Sequence, residues 1–360
     1  MLTASTADAK SSIATVRAPS AGAGGLRIAL DLLGADRSAA ELISELTQLN
    51  PEHYQFVLIG PAGLGTKLPG LVAESVETDS FIGQSDALQT ALRRRPRASM
   101  RLALELLRDH QVDGVVSAGN TAALMALARQ VLPRAPGLKR PAICKMLEGK
   151  SVSGTRKPVW LLDLGANIEC SAQQLFQFAI MGAQLAATSP STRTPVDRPP
   201  VVGLLNIGAE ITKGPAVLGE AAQLFTDCTE FDYCGFIEAH ELFDGRADVV
   251  VSDGLLGNVA LKAMEGTAAM AQHLLREHLA KQRSKAGLRG WLVERLLATR
   301  ALVNVYDPQG YNGATLLGLG GVVVKSHGAA DGSGYLAAVK QARQEIVAGI
   351  PQRVFDLFGE

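Results

Sequence analysis

The sequence predicts an α/β protein of three layers, an αβα sandwich around a mainly parallel sheet. Short Val, Leu and Ile runs recur along the chain, each followed by a helical pattern. Those runs are continuously apolar rather than alternating, the mark of strands buried on both faces. The turns between run and helix are small and polar, rich in Gly, Asn, Ser and Asp. With 360 residues, 47% of them apolar and only 5% aromatic, one large domain can pack its layers through Leu, Val, Ile and Ala.

Taken in order, residues 1–25 are rich in Ala, Ser, Thr and Gly, lack the apolar core of a secretory signal, and read as a disordered tail. Residues 26–360 read as a single domain. Its first strands fall at 26–30 and 54–59. Ser99 reads as the N-cap of a helix over 100–109. A strand at 114–116 leads to a helix at 121–132, and one at 159–162 leads to a helix at 171–187. A strand at 201–205 precedes a helix at 216–225, and one at 248–251 precedes a long helix from near Asn258. The Pro- and Thr-rich stretch 190–200 reads as a surface loop.

Residues 277–305 break this rhythm. Lys281, Arg283, Lys285 and Arg289 precede Trp291, and Leu288, Trp291, Leu292, Leu296 and Leu302 fall near one helical face that Arg295 interrupts. The segment reads as a helical hairpin that pairs with another subunit, or as a basic amphipathic helix lying in a membrane interface.

Lys plus Arg equal Asp plus Glu, at 35 each, so no overall field draws the chain to nucleic acid. Cys144, Cys170, Cys228 and Cys234 form no CxxC pair and no cluster with histidine. They read as small core residues in a reducing compartment, the cytoplasm, and no metal is expected. No apolar run approaches the roughly 18–20 residues that span a bilayer.

Chemistry is expected at the strand ends. One turn holds Ser117, Gly119, Asn120 and Thr121; the next holds Asp163, Gly165 and Asn167. A third carries Asn206, Gly208 and Lys213, and a fourth Asp253, Gly257, Asn258 and Lys262. In open parallel sheets ligands bind beyond the strands' carboxyl ends, where glycines admit an anion and helix N-termini offer free N–H groups. Four such turns predict an oxyanion site. No G-x-x-x-x-G-K-[ST], G-x-S-x-G or G-x-G-x-x-G pattern accompanies them, so free phosphate or a small phosphorylated molecule is expected, with no nucleotide cofactor.

The runs 99–105, 117–121 and 163–167, with Asn206-Ile207-Gly208, Lys213-Gly214, Asp253-Gly254, Gly257-Asn258-Val259, Lys262 and Lys325-Ser326-His327-Gly328, resemble the bacterial acyl-(acyl carrier protein):phosphate acyltransferases. The resemblance runs from about Leu26 to the C-terminus. Residues 253–262 also resemble a D-x-x-x-G-N-x-x-x-K pattern of phosphate acetyl- and butyryltransferases. The resemblance to the acyl-(acyl carrier protein):phosphate acyltransferases implies an isopropylmalate dehydrogenase-like, Rossmann-like sheet. It implies, too, transfer of a long-chain acyl group from an acyl carrier protein thioester to inorganic phosphate, without cofactor, for phospholipid synthesis. Members of that family form homodimers and associate peripherally with membranes, so contact with an anionic membrane is expected as well.

With the resemblance, Lys213 and Lys262 are expected to touch phosphate or thioester. Asp163 and Asp253 either position a partner or proton, or pin their own turns. His327 beside Lys325 acts in proton transfer, binds an anion, or is structural. Asn120, Asn167, Asn206 and Asn258 cap helices, donate to ligand, or both. The basic run Arg93-Arg94-Arg95-Pro96-Arg97, with Arg101, is either a solvated loop or a docking face for an acidic acyl carrier protein. Ala35, Ala98, Ala122 and Ala209 depart from the family's usual residues, and Ala35 stands where a Gly would tolerate positive φ. The rival readings are a short-chain enzyme using coenzyme A thioesters, and an inactive scaffold for acyl carrier protein or membrane. A nicotinamide-dependent dehydrogenase would need a nucleotide-binding loop and acidic metal ligands, and neither pattern occurs.

Overall fold

The computed structural model describes residues 25–83, 85–86, 88–147, 157–189, 198–297 and 312–359; at 88, 90, 275–276 and 279–297 it describes the backbone alone. The expected tail, up to residue 24, and the expected loop at 190–197 lie outside the described residues.

In chain order the strands are β1 (Leu26–Asp31), β2 (Tyr54–Gly60), β3 (Val72–Glu77), β4 (Gly114–Ser117), β5 (Ala142–Leu147), β6 (Val159–Leu162), β7 (Val201–Leu205), β8 (Asp232–Ile237), β9 (Val249–Val251), β10 (Ala314–Leu317) and β11 (Val322–Lys325). They form one sheet in the order β3-β2-β1-β4-β11-β10-β5-β6-β9-β7-β8. β3, β2, β1, β4 and β11 pair in parallel, as do β6, β9, β7 and β8. Between these blocks, β10 is antiparallel to both β11 and β5, and β5 is antiparallel to β6. The two parallel blocks therefore run in opposite directions, joined by β10 and β5.

The helices are α1 (Ala39–Leu42), α2 (Leu88–Arg94), α3 (Ser99–Arg108), α4 (Thr121–Val131), α5 (Ala172–Thr188), α6 (Ala216–Thr226), α7 (Gly254–Leu297), α8 (Gly332–Ala348) and α9 (Ile350–Gly359). Strand residues alternate between faces as the pleat dictates. Ala29, Val115 and Val323 meet α3 and α4, in a core that also takes in Leu261 of α7. Ile28, Leu30, Val116, Val322 and Val324 meet α8 and α1 on the opposite face. On that same opposite side, Trp160, Leu162, Val249 and Val251 pack against α5, α6 and α9. This is the three-layer αβα sandwich that the continuous apolar runs predict.

Local differences from the expectations have physical causes. Ser99 does not cap α3: its N–H donates to Ser80 O at 2.8 Å, and Ala98 takes the cap position without a side-chain bond. Ser171 caps α5 in a reciprocal box with Gln174. Helix α7 starts at Gly254 rather than near Asn258, because the Asp253 carboxylate accepts the Leu256 N–H at 2.7 Å and opens the helix earlier. It then runs unbroken to Leu297, and any return arm of the expected hairpin falls beyond the described residues. The left-handed residue in the first turn is Gly34, at φ 74°, so Ala35 carries no such strain. Among the described residues, no helix is long and apolar enough to cross a membrane.

Candidate active site

The antiparallel joint sets three residues level across adjacent strands. Ala314 of β10 pairs with Lys325 of β11 on one side and with Lys145 of β5 on the other. Residues directly opposite in a ladder share a face, so the two lysines flank a methyl group and stand about 10 Å apart, two strand spacings. Helices α4 and α7 cover the same face. Thr121, Ala122, Met125, Ala126 and Arg129 recur along one side of α4, and Asn258, Leu261, Lys262 and Glu265 along one side of α7. Between helices and joint lies a cavity of about 500 Å³, lined also by the turn at 164–166 after β6. That volume is within the range of small-ligand sites.

Its walls divide by chemistry. Ala122, Met125, Ala126, Ile143, Leu164 and Leu261 are apolar; Lys145, Lys262, Lys325, Arg129, Glu265 and His327 carry charge or titrate. Lys325 is 7% exposed, and its ammonium donates to the carbonyls of Ser326 and Ala118. Burial lowers it to about 8, with Asp31 and Asp36 opposing the fall. Burial likewise lowers Lys145, whose Nζ stands 3.5 Å from the Glu265 carboxylate. Glu265 also holds Lys262 at 2.8 Å. Burial alone would raise the Glu265 carboxyl, but the two ammonium groups keep it below its usual range and therefore ionised.

His327 is oriented by the backbone. Its Nδ1 accepts the Ala329 N–H at 3.1 Å, which places the proton of the neutral ring on Nε2. Burial, with Lys262, Lys325 and Lys145 nearby, holds it below the ordinary histidine value despite Glu265. The His327 N–H is in turn fixed by Asn312 Oδ1 at 2.9 Å, while Asn312 Nδ2 donates to Ser326 Oγ and Gly334 O.

Of the residues expected from sequence, Thr121, Asn258, Lys262, Lys325 and His327 line this cavity together. Several others hold the turns around it. Ser117, level with Lys325 in the sheet, does not line it but donates to the buried Asp31 carboxylate at 2.6 Å and accepts from Gly119 N–H at 3.2 Å. Asn120 caps α4 through the Ala123 N–H. Asp163 accepts from Ile143, Ala166 and Asn167 N–H and from Asn167 Nδ2; burial pushes it up while these four donors oppose. Asn167 also donates to Pro141 O. Asp253 opens α7, and Gly257 is glycine because a β-carbon there would overlap the Asp163 carbonyl oxygen.

Asn206 and Lys213 lie apart. Asn206 ties its own turn by donating to Gly208 O and Lys213 O, and Lys213 is exposed against Glu210 at 2.8 Å. Neither lines the cavity, since β7 stands two strands beyond β6, on the far side of β9. Lys145, Glu265, Asn312 and Arg129 line the cavity without having been singled out from sequence. The available signals were a lysine inside the apolar run Ala142–Leu147 and a carboxylate one helical turn past Lys262.

A family model described as "Fatty acid synthesis protein" matches residues 26–353. A phosphate acyltransferase from Shewanella sp. (strain W3-18-1) is 40% identical over 343 residues, 92% of this chain and 96% of that protein. Another, from Shewanella baltica (strain OS155 / ATCC BAA-1091), is 43% identical over 286 residues, 79% of each chain. Among solved structures, a branched-chain phosphotransacylase from Enterococcus faecalis V583 matches at TM-score 0.55 and 15% identity, covering 89% of this chain and 99% of that one. A phosphotransacetylase from Streptococcus pyogenes matches at TM-score 0.55 and 17% identity, covering 90% and 94%. At those identities the structural likeness is one of fold, whereas the family model covers residues 26–353 and the Shewanella relatives are at least 40% identical over 92% and 79% of the chain: this protein belongs to the "Fatty acid synthesis protein" family, that of the phosphate acyltransferases.

Proposed function

We propose that the chain transfers a long-chain acyl group from an acyl carrier protein thioester to inorganic phosphate, making acyl phosphate for phospholipid synthesis. One observation carries this reading: a single cavity joins an apolar wall, suited to an acyl chain, to a cluster of lysines suited to phosphate. A phosphate oxygen attacks the thioester carbonyl, forming the C–O bond; the C–S bond then breaks and its electron pair leaves on sulfur. The proton of hydrogen phosphate ends on the departing thiol, so the reaction balances without metal or nucleotide. The protein's part is to hold the dianion and meet the charge that develops on the carbonyl oxygen. Lys262, Lys325 and the Nε2–H of His327 supply donors for that task.

Donor choice is supported by the surface beside α4. Arg93, Arg94 and Arg97 are exposed, and Arg101 donates to Leu92 O and Gln130 Oε1, tying α2 to the helix whose Arg129 lines the cavity. An acidic carrier protein fits such a surface. A homodimer is supported by Leu255, Val259, Met270 and Leu274, each more than half exposed on α7, together with Ile207 and Ile211. Peripheral contact with anionic lipid rests on the basic and apolar residues of 281–296, at the distal end of α7.

The test is direct. Purified protein incubated with long-chain acyl-(acyl carrier protein) and phosphate should yield acyl phosphate, trapped by hydroxylamine as the hydroxamate. Absence of phosphate-dependent thioester consumption would overturn the reading, while preference for short-chain coenzyme A thioesters would move the donor to the rival class.

A further inference from the structure

Among the described residues, the cavity holds one carboxylate beside its cations, and that carboxylate is already engaged. Glu265 reaches Lys262 on its own helix and Lys145 on the central strand β5, at 2.8 and 3.5 Å. The Lys145 side chain is 15% exposed and the Glu265 side chain 30%. Lys325 completes the lysine row from β11, and Arg129, exposed on α4, adds a further cation. An ionised carboxylate bridging two ammonium groups occupies the electrostatic position that a phosphate dianion would take.

We propose that Lys145 is a phosphate ligand and that Glu265 is the counter-ion phosphate exchanges for, a positioning residue that weakens the grip of the site on phosphate and on the acyl phosphate formed there. The inference rests on the proposed function and deepens it. While the site is empty, Glu265 neutralises part of the lysine cluster and keeps Lys145 and Lys262 facing one another. When phosphate arrives, its oxygens share the same ammonium groups, and the carboxylate opposes the dianion by like-charge repulsion. The product bears the same dianionic group, so that repulsion also favours its release. A site of lysines alone would bind both more tightly and turn over more slowly.

Lys145 and Glu265 therefore act with opposite sign, which a purely structural role for either would not produce. Binding of radiolabelled inorganic phosphate to the full chain by equilibrium dialysis, with steady-state kinetics on the same preparations, reads both. Glu265→Gln should lower the phosphate Kd and KM about tenfold and reduce kcat. Lys145→Met, which keeps the length of the side chain in the strand, should raise the phosphate Kd and KM about ten- to hundredfold, the scale of one hydrogen bond to a charged group. In both variants the KM for the acyl thioester should stay within about twofold. Lys145→Arg, which restores the charge, guards against a folding defect and should recover part of the phosphate binding. Unchanged or weaker phosphate binding by Glu265→Gln, unchanged binding by Lys145→Met, or a parent protein that binds no phosphate would overturn the inference. A parent that binds phosphate with these opposite shifts yet consumes no thioester would overturn the acyl-transfer reading alone.

Discussion

The turn after β9 and the turn after β7 are built from the same residue types and end in different places. Each follows a buried apolar strand, carries Gly and Asn, and sends a lysine out a few residues later: Lys262 in one, Lys213 in the other. Lys262 enters the cavity and meets Glu265, Lys145 and Lys325 as neighbours. Lys213 pairs with Glu210 on an exposed loop. Sheet order makes the difference. β9 lies next to β6, two strands from the β5–β10 joint, and its helix α7 crosses over that joint; β7 lies one strand further out. The two Gly-Asn-Lys turns are alike in sequence, and position relative to the joint brings one to the cavity and leaves the other outside it.

Substituting the two lysines tests this contrast most strongly. Lys262→Ala should lower turnover by about two orders of magnitude, the scale of losing one electrostatic contact to a transition state. Lys213→Ala should leave it within about twofold. Both variants should keep the parent's circular dichroism, since each side chain is more than half exposed. A loss of tenfold or more in Lys213→Ala would bring the β7 turn into the site.

The joint itself can be probed from its reverse face. Thr315, the neighbour of Ala314 on β10, donates to Glu345 of α8, and Gln341 donates to both. Glu345 is 3% exposed, and its second oxygen has no hydrogen-bond partner. Burial raises its carboxyl from 4.5 to about 7, against the pull of the Thr315 and Gln341 bonds. A raised carboxyl means that the folded state binds the proton more tightly than the unfolded chain. Stability therefore falls as pH rises from about 4.5 to about 7, and the cost is full above that. Glu345→Gln removes the ionisation. Relative to the parent, the variant should gain about 2 kcal/mol in urea-unfolding free energy between pH 5 and pH 8. No pH-dependent gain would mean that Glu345 is not held neutral beneath the joint.

Strand legibility followed the same line. β1, β2, β4, β6, β7 and β9 are apolar runs with a turn after each, and they stand out in the sequence. The joint does not. β5 has its apolar run interrupted by Lys145, and β10 opens on Ala314 and Thr315 with only two leucines after them; they lie some 170 residues apart in the chain and pair only through the sheet. Edge strand β3 is largely exposed and polar, so it lacks the buried pattern as well. The candidate site divides in the same way. Thr121, Asn258, Lys262, Lys325 and His327 belong to local motifs that can be read residue by residue. Lys145 and Glu265 acquire meaning only when β5 and α7 are brought together. A lysine inside an apolar strand implies a buried ammonium needing a counter-ion, but nothing local says which carboxylate supplies it.

Within the cleft, the smallest predicted effect separates a hydrogen-bond donor from a proton carrier. Ala329 N–H occupies Nδ1 of His327, so the neutral ring offers Nε2–H and no free lone pair. Its burial among lysines holds the ring below the ordinary histidine value, so it is neutral at pH 7 and donates without titrating. His327→Ala should then cost about tenfold in kcat/KM, the scale of one neutral hydrogen bond. His327→Gln, whose terminal amide can present an N–H from a similar distance, should stay within about threefold of the parent. Protonating the ring would force Nδ1 to give up the Ala329 bond, so the parent should lose activity on the acid side, below pH 6.5, and the Gln variant should lack that limb. Equal loss in Gln and Ala would instead assign His327 to proton transfer. It would also show that the β11 turn contributes chemistry as well as charge, a wider gap from the β7 turn than geometry alone implies.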